Sequence, residues 1–136
     1  MNTTTRRKFL KSTALASVAT APVFAAAEIK AKELFVHHVY FWLKNPGNEA
    51  DKAKLIEGLE GLTKIKEIKM AHIGVPASTN RSVIERGYAV SWLLFFDNLE
   101  TEEVYQKHPV HLKFVENYSH LWEKVIVYDS IGAKRS

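Results

Sequence analysis

The fold of this chain is decided by residues 34–43, LFVHHVYFWL, where almost every side chain is apolar or aromatic. A run this short and continuous predicts a strand that is buried on both of its faces. Residues 88–96, YAVSWLLFF, predict a second strand of the same kind. Side chains alternate between the two faces of a strand, so we group the residues by even and odd number. Tyr40 and Trp42 of the first strand then belong to the same group as Trp92 of the second, and the odd-numbered residues of both strands are also mostly apolar. The resulting sheet has two apolar faces, and each needs a covering layer.

Helical patterns and two further strands surround this pair. Asn48 can cap a helix, and the apolar residues after it recur at helical spacing until about Gly61. Asp97 with Glu100 predicts a capping box for a second helix, which stops before Pro109, where a further helical segment starts. The predicted order is strand 34–43, helix 48–61, strand 65–75, strand 88–96, two helical segments divided at Pro109, and strand 122–128.

The order β-α-β-β-α-β predicts an α+β fold, a ferredoxin-like domain with both helical layers on one face of the sheet. A chain of 136 residues leaves no segment to cover the second apolar face. We therefore expect two copies to pair sheet to sheet as a homodimer.

The first 27 residues have the composition of a secretory signal peptide. They contain four basic residues and no acidic residue, with a mildly apolar run at 12–24 and three alanines at 25–27. Arg6 and Arg7, followed by Phe-Leu two positions on, resemble a twin-arginine signal. We expect bacterial export to the periplasm, or otherwise out of the cytoplasm, with no stable membrane anchor after cleavage. The chain then divides into a signal peptide 1–27, a lead-in 28–32, a domain 33–130 and a tail 131–136.

Charge and cysteine content exclude several classes of function. The 19 basic residues include the four near the N-terminus, so the remainder carries 15 basic against 15 acidic residues. A neutral domain without a basic stripe is not expected to bind nucleic acid. The chain has no cysteine, which excludes disulfides, thiolate metal sites and a cysteine nucleophile.

Four motifs together resemble the stress-responsive A/B barrel family of dimeric α+β barrels. They are HVYFWLK at 38–44, GY at 87–88, YQKHPVH at 105–111 and WEK at 122–124. The resemblance covers about residues 33–130. It implies a homodimer whose two sheets close into a dimeric α/β barrel, with a pocket between sheet and helices in each subunit and no metal or organic cofactor.

The resemblance also implies a set of pocket residues. A plant polyketide cyclase of this family lines its pocket with residues that match His38, Tyr105, His111 and Trp122 here. Two matching positions depart from that cyclase. Leu59 stands where the cyclase has a tyrosine, and Trp92 where it has a small residue, so a phenol is lost and an indole occupies space that a substrate tail would use.

The sequence pattern, independently of the family resemblance, favours His111 as the candidate catalytic residue. It lies on one helical stripe with Phe114 and Tyr118, so its ring points inward. An imidazole beside the phenol of Tyr105 or the ring of His38 can take a proton from an activated carbon and return it. The alternative is a hydrogen-bonded core histidine that ties the helix to the sheet.

The aromatic residues and the other histidines leave further alternatives. Four aromatic residues are candidates for a ligand-stacking pocket, or else they fill the core or the dimer interface: Tyr40, Trp42, Trp92 and Trp122. Leu59 is a further candidate for the lining of that pocket. His108 precedes a proline and is expected to brace the turn between the helical segments. A metal centre would have to combine His38, His108 and His111, but no anchoring ligand spacing supports it.

Two functions remain open from the sequence. The first is binding of a small hydrophobic or aromatic ligand without turnover. The second is a cofactor-free enzyme of the cyclase, lyase or monooxygenase type, with His111 as general acid and base.

Overall fold

A computed structural model describes residues 33–134, so the predicted signal peptide and lead-in lie outside the described residues. The predicted α+β, ferredoxin-like order is confirmed. The elements are β1 Phe35–Leu43, α1 Glu49–Leu62, β2 Met70–Gly74, β3 Val90–Phe96, α2 Leu99–Lys107, α3 Pro109–Tyr118, a short 3₁₀ turn Ser119–Leu121 and β4 Trp122–Ile131.

The four strands form one antiparallel sheet in the order β2-β3-β1-β4. In this register Val39 of β1 lies opposite Trp92 of β3 and Val127 of β4. Odd-numbered residues of β1 therefore share a face with even-numbered residues of β3. The grouping of Tyr40 with Trp92 by residue number was wrong, because the pairing shifts the parity between the two strands.

The helices cover the face that carries Val39 and Trp92. Leu55, Leu59 and Leu62 of α1 are completely or almost completely buried there. A Cβ placed on Gly58 would lie 2.9 Å from the ring of Tyr118, so the absence of a side chain lets α1 and α3 approach closely. The helices therefore bury this face of the sheet in the core.

Capping side chains set where the helices begin. The Asn48 side chain accepts a hydrogen bond from the backbone N–H of Asp51 at 3.0 Å, as expected for an N-cap. The second cap is Asn98 and not Asp97, because Asn98 and Thr101 form the reciprocal pair of hydrogen bonds that defines a capping box.

A break separates α2 from α3 at His108 and Pro109. Pro109 occupies the first position of α3, and the Nδ1 atom of His108 accepts the backbone N–H of Val110 at 3.1 Å. His108 also closes the last turn of α2, because its backbone N–H donates a hydrogen bond to the carbonyl of Tyr105 at 3.1 Å. The predicted bracing role of His108 is confirmed.

β2 and β4 differ most in length from their predictions, whereas β1 and β3 are only one and two residues shorter than predicted. β2 spans only 70–74 because the preceding residues form turns, in which the N–H of Ile65 donates to the carbonyl of Leu62 at 3.0 Å. β4 extends beyond the predicted 122–128, because its end pairs with the start of β1, where Ile131 lies opposite Phe35.

The opposite sheet face, here called the open face, carries side chains that are only partly buried. It includes Val36, His38, Tyr40 and Trp42 of β1, Leu93 and Phe95 of β3, Met70 and His72 of β2, and Lys124, Ile126 and Tyr128 of β4. Met70 is 53% exposed and Tyr128 is 63% exposed. The uncovered apolar and aromatic surface that the sequence predicted is present.

None of the helices in the described part of the chain has the length and apolar character needed to cross a membrane.

Candidate functional site

A cavity of about 160 Å³, here called the helix-side cavity, lies between the covered sheet face and helices α2 and α3. Most of its wall is apolar or aromatic, including Trp92, Phe114 and Trp122. The side chains that bring polar atoms to it are His37, Tyr105, Gln106 and His111. An apolar space with a few convergent polar groups is typical of a small-molecule site.

Tyr105 places a phenol in the wall of this cavity. It is 1% exposed, and its hydroxyl oxygen accepts a hydrogen bond from the indole N–H of Trp92 at 3.0 Å. Burial is the main cause that raises the pKa of Tyr105, so the phenol stays protonated at neutral pH. Since its oxygen accepts from Trp92, its own proton remains available for donation to a ligand oxygen.

His111 lies next to this phenol, with the two ring centroids 4.6 Å apart. Its Nδ1–H donates to the backbone carbonyl of Gln106 at 3.0 Å, which fixes the tautomer because a carbonyl only accepts. Burial lowers the pKa of His111, and the Gln106 carbonyl partly opposes that change. The neutral ring therefore carries an unprotonated Nε2, the form a general base requires.

The first-strand histidine in this cavity is His37, and not His38 as predicted. His37 is 6% exposed, and its Nδ1–H donates to the Asp129 carboxylate at 2.7 Å. Its ring centroid lies 6.1 Å from that of Tyr105. The expected placement of His38 beside Tyr105 was wrong because neighbouring residues of a strand point to opposite faces. His38 lies on the open face, where its Nδ1 is hydrogen-bonded to the Tyr40 hydroxyl at 3.2 Å.

A second carboxylate lies close to His37. Glu102 of α2 is 6% exposed, and its Oε1 is 3.8 Å from Nδ1 of His37. The same oxygen accepts a hydrogen bond from the Gln106 side chain at 2.7 Å. His37 thus connects β1 to β4 through its hydrogen bond to Asp129, and it faces the Glu102 carboxylate of α2.

The predicted ligand-pocket residues divide into two groups. Trp92 and Trp122 line the helix-side cavity. Trp92 forms part of its wall and does not fill the space beside His111. Leu59 is fully buried in the hydrophobic core, and Tyr40 lies on the open face. Neither of these two residues lines the helix-side cavity.

The histidine set considered for a metal is not brought together. His38 lies on the opposite sheet face from His111, and His108 uses its Nδ1 to cap α3. Across residues 33–134 there is no group of three or more histidine, aspartate or glutamate side chains arranged to hold a metal ion.

Sequence reasoning missed four residues around the cavity, which are His37, Glu102, Gln106 and Asp129. Strand parity could have identified His37, because it shares its parity with Val39, which faces the helices. Asp129 could be found only from the β1–β4 register, which places it opposite His37.

Comparisons with known proteins agree with this geometry. The sequence profile of the Stress Responsive A/B Barrel Domain family matches residues 35–131. The comparison with curated proteins gave no match.

Solved structures show the same fold. A dabb family protein from Mesorhizobium loti with a ferredoxin-like fold has a TM-score of 0.63 at 18% identity, covering 74% of this chain and 98% of that one. The hydroxynitrile lyase from Passiflora edulis has a TM-score of 0.63 at 19% identity, covering 77% and 98%. A dimeric protein from Bacteroides fragilis has a TM-score of 0.56 at 20% identity, covering 73% and 96%.

Proposed function

The chain belongs to the stress-responsive A/B barrel domain family, and from this premise we propose that it is an exported homodimer whose helix-side cavity binds a small hydrophobic or aromatic compound. The observation that carries the proposal is the grouping of Tyr105, His111 and His37 in a cavity whose remaining wall, apart from Gln106, is apolar. Apolar walls favour a hydrophobic ligand, and the three polar side chains favour a carbonyl or hydroxyl group on it.

The volume of the cavity limits the ligand. At about 160 Å³ it is comparable to an apolar cavity of roughly 150 Å³ that accommodates benzene. Drug-sized ligands need about 300 Å³ or more. A single substituted ring or a short branched chain is therefore the class of ligand that fits.

Binding is tested with acetophenone, which combines one aromatic ring with a carbonyl group, in a calorimetric titration. Val115 lines the cavity from α3, so Val115→Trp should fill its mouth and weaken acetophenone binding at least about tenfold. Leu112→Trp is the matched control, since Leu112 lies on the same helix, is 56% exposed and does not line the cavity. Equal loss in both variants, or no saturable binding to the unmodified protein, would contradict this site.

A second function, cofactor-free acid–base catalysis, is favoured by the tautomer of His111. The hydrogen bond to Gln106 leaves Nε2 as the acceptor, while Tyr105 has a free phenolic proton. In the step proposed here, Nε2 removes a proton from a carbon next to a carbonyl, and Tyr105 donates to the carbonyl oxygen as its negative charge develops. The proton then returns from the imidazolium to carbon or oxygen of the product. The Passiflora edulis neighbour is itself a lyase by name, on the same fold.

The homodimer is proposed to form through the open face. That face carries aromatic and aliphatic side chains on all four strands, and exposed apolar surface of this kind marks an interaction site. The Bacteroides fragilis neighbour is described as dimeric. A second copy of this chain is the partner that fits this face, because a twofold axis places the same patch of each copy against the other.

Light scattering of the chain from residue 28 onward should give twice the monomer mass at micromolar concentration. Leu93→Asp places a carboxylate in the open face and should produce a folded monomer, because an unpaired charge is costly in a closed interface. Leu112→Asp on α3 should leave the dimer intact. Trp42 also lies on the open face, so Trp42→Asp is expected to have the same effect as Leu93→Asp. Phe41→Asp should instead unfold the chain, because Phe41 lies in the core and is only 3% exposed. A monomeric unmodified protein would refute the pairing.

Export is proposed from residues 1–27, and its test concerns the arginine pair. Changing Arg6 and Arg7 together to lysine should leave precursor in the cytoplasm, because a mildly hydrophobic run depends on that pair for export. The measurement is the ratio of precursor to mature protein in cell fractions. Normal periplasmic yield of the double variant would show that the twin-arginine assignment is wrong.

A further inference from the structure

A second and larger cavity, here called the open-face cavity, has a volume of about 520 Å³. Its wall is formed by Tyr40, Trp42, Tyr88, Tyr128, Ile126, Lys124 and Glu85. Tyr40 and Trp42 are even-numbered residues of β1, so this cavity and the helix-side cavity lie on opposite faces of the same sheet. The two cavities share no lining residue.

The wall of the open-face cavity is aromatic and arranged edge to face. The Tyr40 ring lies 4.9 Å from that of Tyr88 at 75° and 6.0 Å from that of Tyr128 at 80°. The Trp42 ring lies 6.3 Å from that of Tyr88 at 74°. Perpendicular rings around one cavity present both ring faces and ring edges to a planar ligand, and aromatic pairs prefer these contacts.

The two charged side chains of the cavity differ in whether a polar group already contacts them. Glu85 accepts the backbone N–H of Gly87 at 2.6 Å, within the loop that precedes β3. Lys124 lies over the Trp42 ring, with Nζ 4.5 Å from the ring centroid, and forms no ion pair with any residue of the range 33–134. The ammonium group is thus the charge in this cavity that lacks a polar partner.

We propose that the open-face cavity is a second ligand site, which binds planar aromatic carboxylates. The carboxylate pairs with the ammonium of Lys124, and the ring packs among Trp42, Tyr88 and Tyr128. In the homodimer proposed above, the open faces approach each other and water is displaced around Lys124. An ammonium without a counter-charge is costly in such surroundings, and a bound carboxylate supplies the charge.

The probe for this site is 2-naphthoate, and its reporters are the three tryptophan indole N–H signals in a ¹H–¹⁵N spectrum. Trp42 lines the open-face cavity, whereas Trp92 and Trp122 line the helix-side cavity. We expect 2-naphthoate to shift the Trp42 signal in a saturable manner and to leave the other two unchanged. Trp42→Phe assigns that signal by its disappearance.

Charge selectivity is tested with two analogues and a matched pair of variants. 2-Naphthamide should bind about tenfold or more weakly than 2-naphthoate, since it keeps the ring and loses the charge. Lys124→Met should weaken naphthoate binding by a similar factor without changing naphthamide binding. Lys113→Met on the outer side of α3 is the control and should leave both unchanged. Lys124→Gln repeats the test if the methionine variant has a lowered melting temperature.

Several results would overturn the proposal. Tighter binding of 2-naphthylmethylamine than of 2-naphthoate would assign the cavity to cations held by Glu85. Equal losses in the Lys113 and Lys124 variants would indicate nonspecific charge attraction. Binding of 2-naphthoate to monomeric Leu93→Asp but not to the dimer would show that the second copy fills the cavity.

Failure of this proposal can be distinguished from failure of the proposed function. Val115→Trp should weaken acetophenone binding at least about tenfold and leave the Trp42 response to 2-naphthoate intact. Light scattering reports the dimer independently of either ligand. A protein that binds acetophenone, is dimeric and shows no Trp42 shift with 2-naphthoate would refute only the second site.

Discussion

Replacement of His111 by alanine is expected to reduce acid–base turnover in the helix-side cavity by about 10²- to 10⁴-fold, the usual contribution of a positioned general base. The reduction in turnover can be measured with a model reaction that does not require the natural substrate to be known. Acetophenone in deuterated water exchanges its methyl protons when a base removes them, and NMR follows the loss of the methyl signal. Catalysed exchange should be present in the unmodified protein and absent in His111→Ala.

The alternative role of His111, a hydrogen-bonded core histidine, predicts a different pattern. Its loss would leave the Gln106 carbonyl without its partner and lower the free energy of unfolding by roughly 1–3 kcal/mol, with no selective effect on exchange. His111→Gln separates the two roles, because an amide can donate to that carbonyl but cannot act as the base. Unaltered exchange in His111→Gln would exclude the catalytic role.

The pH dependence of exchange follows from the direction of the pKa change. The base is active when neutral, and burial lowers the pKa of His111 below the usual 6.5. Exchange should therefore persist through pH 6.5 and decline only in more acidic solution. Stability should also fall as the pH decreases through 6.5, because the unfolded chain binds the proton before the folded protein does.

Leu59→Ala is expected to destabilise the protein by about 2–5 kcal/mol, the cost of removing a fully buried leucine side chain. Leu59 has no exposed surface and packs in the core between α1 and the sheet. Urea unfolding measures the loss, and Leu112→Ala on the exposed side of α3 should change stability by no more than about 0.5 kcal/mol.

This substitution also decides between two interpretations of Leu59. As a core residue, it should leave acetophenone affinity unchanged at temperatures where the variant is folded. As a pocket residue, matched to a tyrosine in the plant cyclase, it would alter binding with little effect on stability. The second outcome would contradict the position in which the structure places it.

Much of the fold could be predicted because its signals are local. Continuous apolar runs, the Asn48 cap and Pro109 each act within a few residues, and they are sufficient for the β-α-β-β-α-β order. The cap of the second helix was predicted at Asp97 with Glu100 and is instead Asn98, because the Thr101 side chain completes the reciprocal hydrogen bonds with Asn98.

The candidate site was predictable only in part, because it depends on register. The structure places four of the predicted site residues at the cavity, namely His111, Tyr105, Trp92 and Trp122. His37 and His38 differ by one position, and one position in a strand is the difference between two faces of the sheet. Asp129 lies 92 positions from His37, and only the pairing of β1 with β4 brings them within 2.7 Å.

The break at Pro109 has a geometric consequence for the pair Tyr105 and His111. These residues are six positions apart, and in one uninterrupted α-helix they would be rotated by about 120° and displaced by about 9 Å along the axis. Their side chains would then point in different directions. Because the chain changes direction at His108, the two rings instead lie 4.6 Å apart against one cavity. The proline that ends a helix in the sequence is therefore also the residue that creates the phenol–imidazole pair, and its contribution to chemistry comes entirely from the bend that it imposes.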